Sequence, residues 1–371
     1  MRCDRIRGWA VGAPLLTVAL LAGPLHAQVS PERIERAARL LEELVETYGV
    51  SGDEGEVRDV VLSHLPDWAE PEVDSAGNVW VRMGEGGSLS VFVAHMDEVG
   101  YEITEIGDDG TLALRARGGF LPWLWEGTPA LVHNGDDPVN GVFVPREATA
   151  APSRQSADGV ARVDVGARSR SDVAAMGIRV GQTVTNPKSF VRLAGTRATG
   201  RSFDDRVGLA AQLLALQDLD PTTLPHRFVF LWVVEEEIGL GGSAYAARQL
   251  GFEADRVYAV DTFVSADTPI DPQNFAVAPL GNGPVARAVD NSSVTPGPVL
   301  DSLLAVIAAR GLPYQVGTTN GGNDGSAWAP WGVVDIPFGW PLRYSHSPVE
   351  VIDLEDLVVL SDWIRAIVEG W

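Results

Sequence analysis

Five short polar segments of this sequence could do chemistry together. His95, Asp97 and Glu98 follow the apolar run Ser90–Ala94; Glu235, Glu236 and Glu237 follow Phe228–Val234; Asp261 follows Val257–Val260; and His346 follows Leu342–Ser345. The fifth, Phe203-Asp204-Asp205-Arg206, stands at the start of a helix. Each alone has a plain structural reading. A Glu run is usually a solvated turn, a His-x-Asp a surface hydrogen bond, and an Asp pair before a helix an N-cap. Three adjacent carboxylates directly after seven apolar residues, however, repel one another unless protons or a cation intervene. Two His, one potentially bridging Asp, a further Asp and a Glu make five nitrogen and oxygen donors, a set that suits a pair of zinc-like ions.

The remaining composition narrows the alternatives. Lys188 is the only lysine and Cys3 the only cysteine in 371 residues, which leaves little for Schiff-base, thiol-nucleophile or cysteine–zinc chemistry. With 28 Lys and Arg against 50 Asp and Glu, the net charge of -22 repels phosphate backbones and argues against a nucleic-acid partner. A hydrophobic fraction of 45% and a charged fraction of 21% are those of a folded globular body, and the length suits two domains or one with an insertion.

In open α/β sheets ligands bind outside the carboxyl ends of the strands, so the elements that end at these residues matter. Asn78–Arg82 and Ser90–Ala94 read as strands, and Phe228–Val234, apolar on both faces, reads as a central strand covered by helices on both sides. Val257–Val260 is a further strand. Helices are expected from Pro31 with Ser30 as N-cap and Gly49 as the stop, over Glu54–Leu65, Arg206–Leu219, Ser243–Leu250 and Val299–Arg310, and from a cap near Asp353 to Val368. From about Glu102 to Ala198 the pattern changes to short alternating runs broken by Gly, Pro and Asp, which predicts an inserted β-rich module with an exposed loop over Ala148–Gly159.

Residues 1–27 run from basic (Arg2, Arg5, Arg7) through apolar and small to Pro24-Leu-His-Ala27, the pattern of a signal peptide cleaved after Ala27. The other reading is an uncleaved anchor, though Gly12, Pro14 and Gly23 interrupt a stretch already marginal for spanning ~30 Å of hydrocarbon. Export to the periplasm or medium, with no stable membrane span after cleavage, is the expectation.

The ordered set of segments resembles the glutamyl and deblocking aminopeptidase family of metallopeptidases, whose archaeal members form tetrahedral dodecamers. The segments that carry the resemblance are His95-Met-Asp-Glu-Val-Gly100, Ser202-Phe-Asp-Asp-Arg-Val-Gly208, Glu236-Glu-Ile-Gly-Leu240, Val260-Asp-Thr262 with Asp267-Thr-Pro269, Gly321-Gly-Asn-Asp324 and Arg343-Tyr-Ser-His-Ser-Pro348. Gly118-Gly119, in the inserted module, also matches. Departures are Asn323, where the family usually has Thr, and the Trp-rich stretch after it (Trp328, Trp331, Trp340).

The resemblance implies two divalent ions, zinc expected and cobalt or manganese accepting the same donors. One would be held by His95, Asp204 and Asp261, the other by Asp204, Glu237 and His346, with Asp204 bridging. Glu236 matches the general base, Asp97 the carboxylate that orients His95, and Asp205 the residue after a cis peptide bond. It implies an α/β fold: a three-layer α/β/α catalytic domain with a mixed central sheet over 28–101 and 199–371, plus an inserted small β-rich domain over 102–198 for dimerisation and access. The function it implies is a dinuclear metalloaminopeptidase acting on short peptides with free N-termini, as a homo-oligomer through the inserted domain. The alternatives are a related dinuclear amidase or deacylase, a glycoside hydrolase using two carboxylates and Trp platforms, and a non-catalytic exported binding protein.

Overall fold

Ser30 opens helix α1 (Pro31–Glu46), its hydroxyl accepting from the Arg33 amide at 3.4 Å, with Pro31 at the first helical position. Ile34, Ala37, Leu41, Leu44 and Val45 recur at helical spacing and put one face in the core. Helix α2 (Gly55–His64) and strands β1 (Pro71–Val73), β2 (Val79–Met83) and β3 (Leu89–His95) follow. The computed structural model describes residues 29–135, 137–145, 161–267 and 276–371. The expected signal peptide and the expected loop Ala148–Gly159 lie outside the described residues.

The chain then enters a closed barrel of β4 (Gly100–Ile106), β5 (Leu112–Arg117), β6 (Pro129–Val132), β7 (Val139–Phe143), β8 (Ala161–Asp164) and β9 (Thr183–Thr185), with a short helix α3 (Arg170–Ala175) between the last two. Closure pairs every barrel strand on both sides and removes free edges. Its interior is aromatic: Tyr101 and Phe143 each lie edge-on or tilted to Trp125 or to one another, with centroids 5.4 to 5.7 Å apart.

The return path comprises β10 (Val191–Arg192), β11 (Arg197–Gly200), α4 (Phe203–Asp218), β12 (Arg227–Val233), α5 (Gly241–Leu250) and β13 (Arg256–Ala259). After it come β14 (Phe263–Val264), β15 (Val285–Val289), α6 (Gly297–Ala309), β16 (Gln315–Thr318), β17 (Val334–Asp335), β18 (Phe338–Gly339), β19 (Pro341–Leu342), β20 (Glu350–Asp353) and α7 (Leu354–Gly370). The central sheet runs β1-β2-β12-β3-β13-β17; β12, β3, β13 and β17 are parallel, and β2 is antiparallel to both β1 and β12.

Strand β12 is buried at every position from Phe228 to Val233, as a sequence apolar on both faces requires. Phe228, Phe230 and Trp232 join the core formed with α1, α4 and α7, where Phe92 stacks between Phe230 and Tyr258 at 5.0 and 4.7 Å. Val229, Leu231 and Val233 face the opposite layer, built from α5 and the 3-10 segment Asp324–Trp331. This is the expected three-layer α/β/α arrangement. Among the described residues no helix is long and apolar enough to cross a membrane.

Three details differ from the sequence expectations. Barrel strands begin at Gly100 and end at Thr185, not at 102 and 198, because β11 pairs with β10 on one side and β20 on the other and so continues the other lobe. Helix α4 begins at Phe203, ahead of the expected Arg206, and Asp204 and Asp205 inside it have non-helical backbone angles and share a cis peptide bond. The small sheets β16-β15-β18 and β14-β19 were not foreseen, since their strands are two to five residues long and leave no periodicity to read.

Candidate metal centre

Parallel register brings three of the polar segments to one end of the sheet. His95, the last residue of β3, lies opposite Val233 of β12, and Glu235–Glu237 follow one residue later. Asp261 follows β13, the other neighbour of β3. Asp204 arrives from the first turn of α4, and His346 from the loop between β19 and β20. His95, Asp204, Glu236, Glu237, Asp261 and His346 line one cleft of about 680 Å³.

Asp204 sits at the middle of this group. Its Oδ1 lies 3.3 Å from His95 Nε2, and its Oδ2 lies 3.3 Å from His346 Nε2. His346 Nε2 is also 3.1 Å from Glu237 Oε1, and His95 Nε2 is 4.0 Å from Glu236 Oε2. Donor atoms of His95, Asp204 and Glu237 lie within 4.8 Å of one another. The sequence-expected residues are therefore together, and Glu235 is the one member of the Glu run turned away: its backbone is left-handed and its carboxylate lies beside Gly52 and Gly241.

A layer of groups behind the cleft fixes these side chains. Asp97, fully buried, accepts the Glu236 and Glu237 amides at 2.9 and 3.1 Å and the Ser51 hydroxyl at 2.6 Å, while its Oδ1 lies 3.4 Å from His95 Nδ1. One carboxylate thus orients the imidazole and the strand end next to it. Asp205 accepts the His95 amide at 2.9 Å and the Gly208 amide at 3.0 Å. Asp261 is 3.3 Å from Arg287 Nη2 and accepts the Thr262 amide at 2.5 Å.

Electrostatics in the cleft follow from crowding. Burial pushes the Glu236 carboxyl well above its usual range; His95 opposes this, while Asp324, Glu237 and Asp261 add to it. Glu237 and Asp261 are raised for the same first reason, burial, with Asp204 adding to it. Burial disfavours a charged His95 or His346 ring, but the surrounding carboxylates, Asp204 foremost for His95 and Glu237 for His346, raise both imidazoles well above their ordinary value. The carboxylates of Asp204, Glu236, Glu237 and Asp261 outnumber the two imidazoles and Arg287 in the cleft lining, and Glu237 Oε1 accepts no hydrogen bond. Nitrogen and oxygen donors in this arrangement fit divalent cations.

Several supporting residues escaped the sequence reading. Glu350 accepts the Phe203, Asp204 and His346 amides at 2.7, 3.4 and 2.9 Å, joining two loops 140 residues apart; burial first, then Asp204, pushes its carboxyl up to about 8. A buried Arg287 spans Asp261 and Asp290, and the Gly119 carbonyl of the barrel touches His346 Nδ1. Glu98, expected only as a neighbour, anchors an ionic cluster: it is 2.6 Å from Lys188 Nζ and 3.4 Å from Arg201 Nη2, and it accepts the Ser202 hydroxyl and, at 3.1 Å, the Gly49 amide. Arg206 holds the neighbouring backbone, donating to the Met96 carbonyl and, at 3.0 Å, to Leu44. No short-range pattern marks these partners, since each acts on a segment far away in the chain.

Comparison with known proteins shows which proteins the chain is similar to. A sequence model described as M42 glutamyl aminopeptidase matches residues 77–362. The putative aminopeptidase FrvX of Escherichia coli is 31% identical over 339 residues, covering 88% of this chain and 93% of that protein. A lysyl aminopeptidase of Pyrococcus furiosus is 30% identical, covering 86% and 92%. Among solved structures, the TET1 peptidase of Pyrococcus horikoshii, described as able to assemble into a tetrahedron or a large octahedral shell, superposes with a TM-score of 0.82 at 29% identity, covering 90% of this chain and 100% of that one.

Proposed function

Because the chain belongs to the M42 glutamyl aminopeptidase family and is therefore a peptidase, we propose that it removes N-terminal residues from short peptides with free amino ends, using two divalent ions. The observation that supports this most is Asp204, whose two oxygens each face a different imidazole across one cleft. On this reading His95, Asp204 and Asp261 hold one ion, Asp204, Glu237 and His346 hold the other, and zinc is the first expectation among ions that accept these donors. Such ions, when bound, acidify water, polarise the scissile carbonyl and leave room for the substrate's free amine.

The chain's own residues do the remaining work. Glu236, 4.0 Å from His95 Nε2 at the cleft wall, accepts a proton from the attacking water and returns it to the departing amine, so that one water is consumed and one amine and one acid are released. Asp97 keeps His95 and the Glu236 backbone in register, so base and ligand are positioned by the same carboxylate. We further propose export, from the basic and then apolar residues at 1–27, and a homo-oligomer through the barrel, whose exposed Val142 and Val180 and whose likeness to an assembling peptidase support it.

The test is a peptide panel with free and acetylated N-termini, incubated with metal-loaded enzyme with and without chelator. Cleavage of only the free-amine peptides, one residue at a time and reversibly dependent on metal, is the expected result. Chelator-resistant cleavage, or equal cleavage of acetylated peptides, overturns the proposal.

A further inference from the structure

His346 is the one imidazole of the cleft that no catalytic-layer side chain orients. His95 Nδ1 has both the Asp97 carbonyl, at 3.1 Å, and the Asp97 carboxylate, at 3.4 Å, beside it; His346 Nδ1 instead meets, among the described residues, only the backbone carbonyl of Gly119, which lies in the segment between β5 and β6 of the barrel. With Nδ1–H donating to that carbonyl, Nε2 is left as the acceptor facing Glu237 and Asp204.

The loop that carries this carbonyl is held from both sides. Toward the cleft, Gly118 has a φ of +93°, and a Cβ there would lie 2.6 Å from Val99 Cγ1 and 3.3 Å from Glu237 Cβ. Only glycine lets the chain pass this close to Glu237 in this conformation. Toward the barrel, Phe120 packs on Tyr101 and Trp125, each with centroids 4.9 Å away, and Trp125 is fully buried beneath the Arg201 guanidinium at 5.4 Å. The carbonyl's position is thus set by the barrel interior.

We propose that the Gly118–Phe120 segment is a positioning element for one of two cation positions: the barrel, through the Gly119 carbonyl, fixes the His346 ring and thereby sets the affinity of the His346–Glu237 position alone. This rests on the two-ion reading above. Removing a partner of this kind weakens metal binding by roughly 10–100-fold.

The experiment is stepwise zinc titration of the metal-free full chain against a chromophoric chelator, for wild type, Gly118→Ala, Phe120→Ala and Gly110→Ala. Gly110 is a control in the same barrel, with a φ of +87° and an added Cβ 2.9 Å from the Ala167 backbone, and it lies outside the cleft lining. Two ions per wild-type chain are expected, with one binding step weakened about 10-fold or more in Gly118→Ala and Phe120→Ala and both steps unchanged in Gly110→Ala. Phe120→Ala introduces no clash with Glu237, so it separates loss of the carbonyl from displacement of that carboxylate, and it carries the test if Gly118→Ala does not fold. Unchanged affinities in Phe120→Ala, or equal weakening of both steps, or a Gly110→Ala variant as impaired as the other two, overturns the proposal while leaving the two-ion reading intact. Fewer than two ions bound by wild type overturns both.

Discussion

The two imidazoles of the cleft have similar kinds of partner but draw them from different parts of the fold. His95 ends a central strand, is 1% exposed and has carboxylates behind both its ring and its amide. His346 lies on a loop with left-handed backbone, its side chain is 27% exposed, and its partners are a carbonyl from the barrel and Glu350 on its amide. One half of the centre is therefore fixed by the sheet, the other is assembled where three distant segments meet. A hydrogen-bonded parallel sheet resists small displacements, whereas a loop meeting place depends on each contributor being in position. The halves should differ in how firmly they retain an ion, with the His346 half losing its ion first.

The largest effect is expected where the halves join. Asp204→Asn should abolish binding of both ions and lower turnover by about 10⁴-fold or more, a large part of the roughly 10⁶-fold or greater acceleration typical of enzymes; metal analysis of the purified variant checks it, and retention of two ions would break the bridging assignment. Next is Glu236→Gln, which should cost about 10²–10⁴ in kcat with metal content unchanged, since a proton carrier is removed but no ligand. Intact turnover would remove Glu236 from the mechanism.

The comparison itself is sharpened by a crossed pair. Asp97→Asn should weaken the ion on the His95 side most, by roughly 10–100-fold, and Glu350→Gln should weaken the ion on the His346 side most, each with a smaller effect on the other step through the Glu237 and Asp204 amides. If both variants weaken the same step most, the division into halves is wrong. The smallest effect concerns stability near the barrel. Burial, helped by Arg201 and Lys188 and partly offset by Glu98, lowers His133 to about 4 from an ordinary value of 6.5. The unfolded chain then binds more protons than the folded one between those values, so stability falls as pH drops from about 6.5 to about 4. Replacing His133 with Gln should flatten the decline of Tm across that window; an unchanged slope would locate the acid sensitivity elsewhere.

The strand-held half was legible in the sequence for a physical reason. A run apolar on both faces can only be a covered strand, and polar residues directly after it must lie at its carboxyl end, so His95, Glu236 and Asp261, and with them Glu237 of the other half, could be placed by counting. His346 stands out only by its place after the short segment Leu342–Ser345, and its role as a ligand comes from the family resemblance, because β19 and β20 are too short to show a period. Glu350, Arg287 and the Gly119 carbonyl were not legible. A lone Glu, a lone Arg and a backbone oxygen carry no signature, and each meets its partner only after the chain has folded. The barrel edges were missed by two and thirteen residues because β11 alternates like a barrel strand but pairs with β10 and β20.

The ionic cluster around Glu98 has a practical consequence. Lys188, the sole lysine of the sequence, has a fully enclosed side chain, with its ammonium between Glu98 and the Thr47 carbonyl. The folded protein accordingly presents no side-chain amine to a reagent in solution. Succinimidyl esters and aldehydes should couple at the α-amino terminus alone, which gives a single-point handle for attaching a dye or a surface, and the appearance of a second coupled group would report that the cluster has opened.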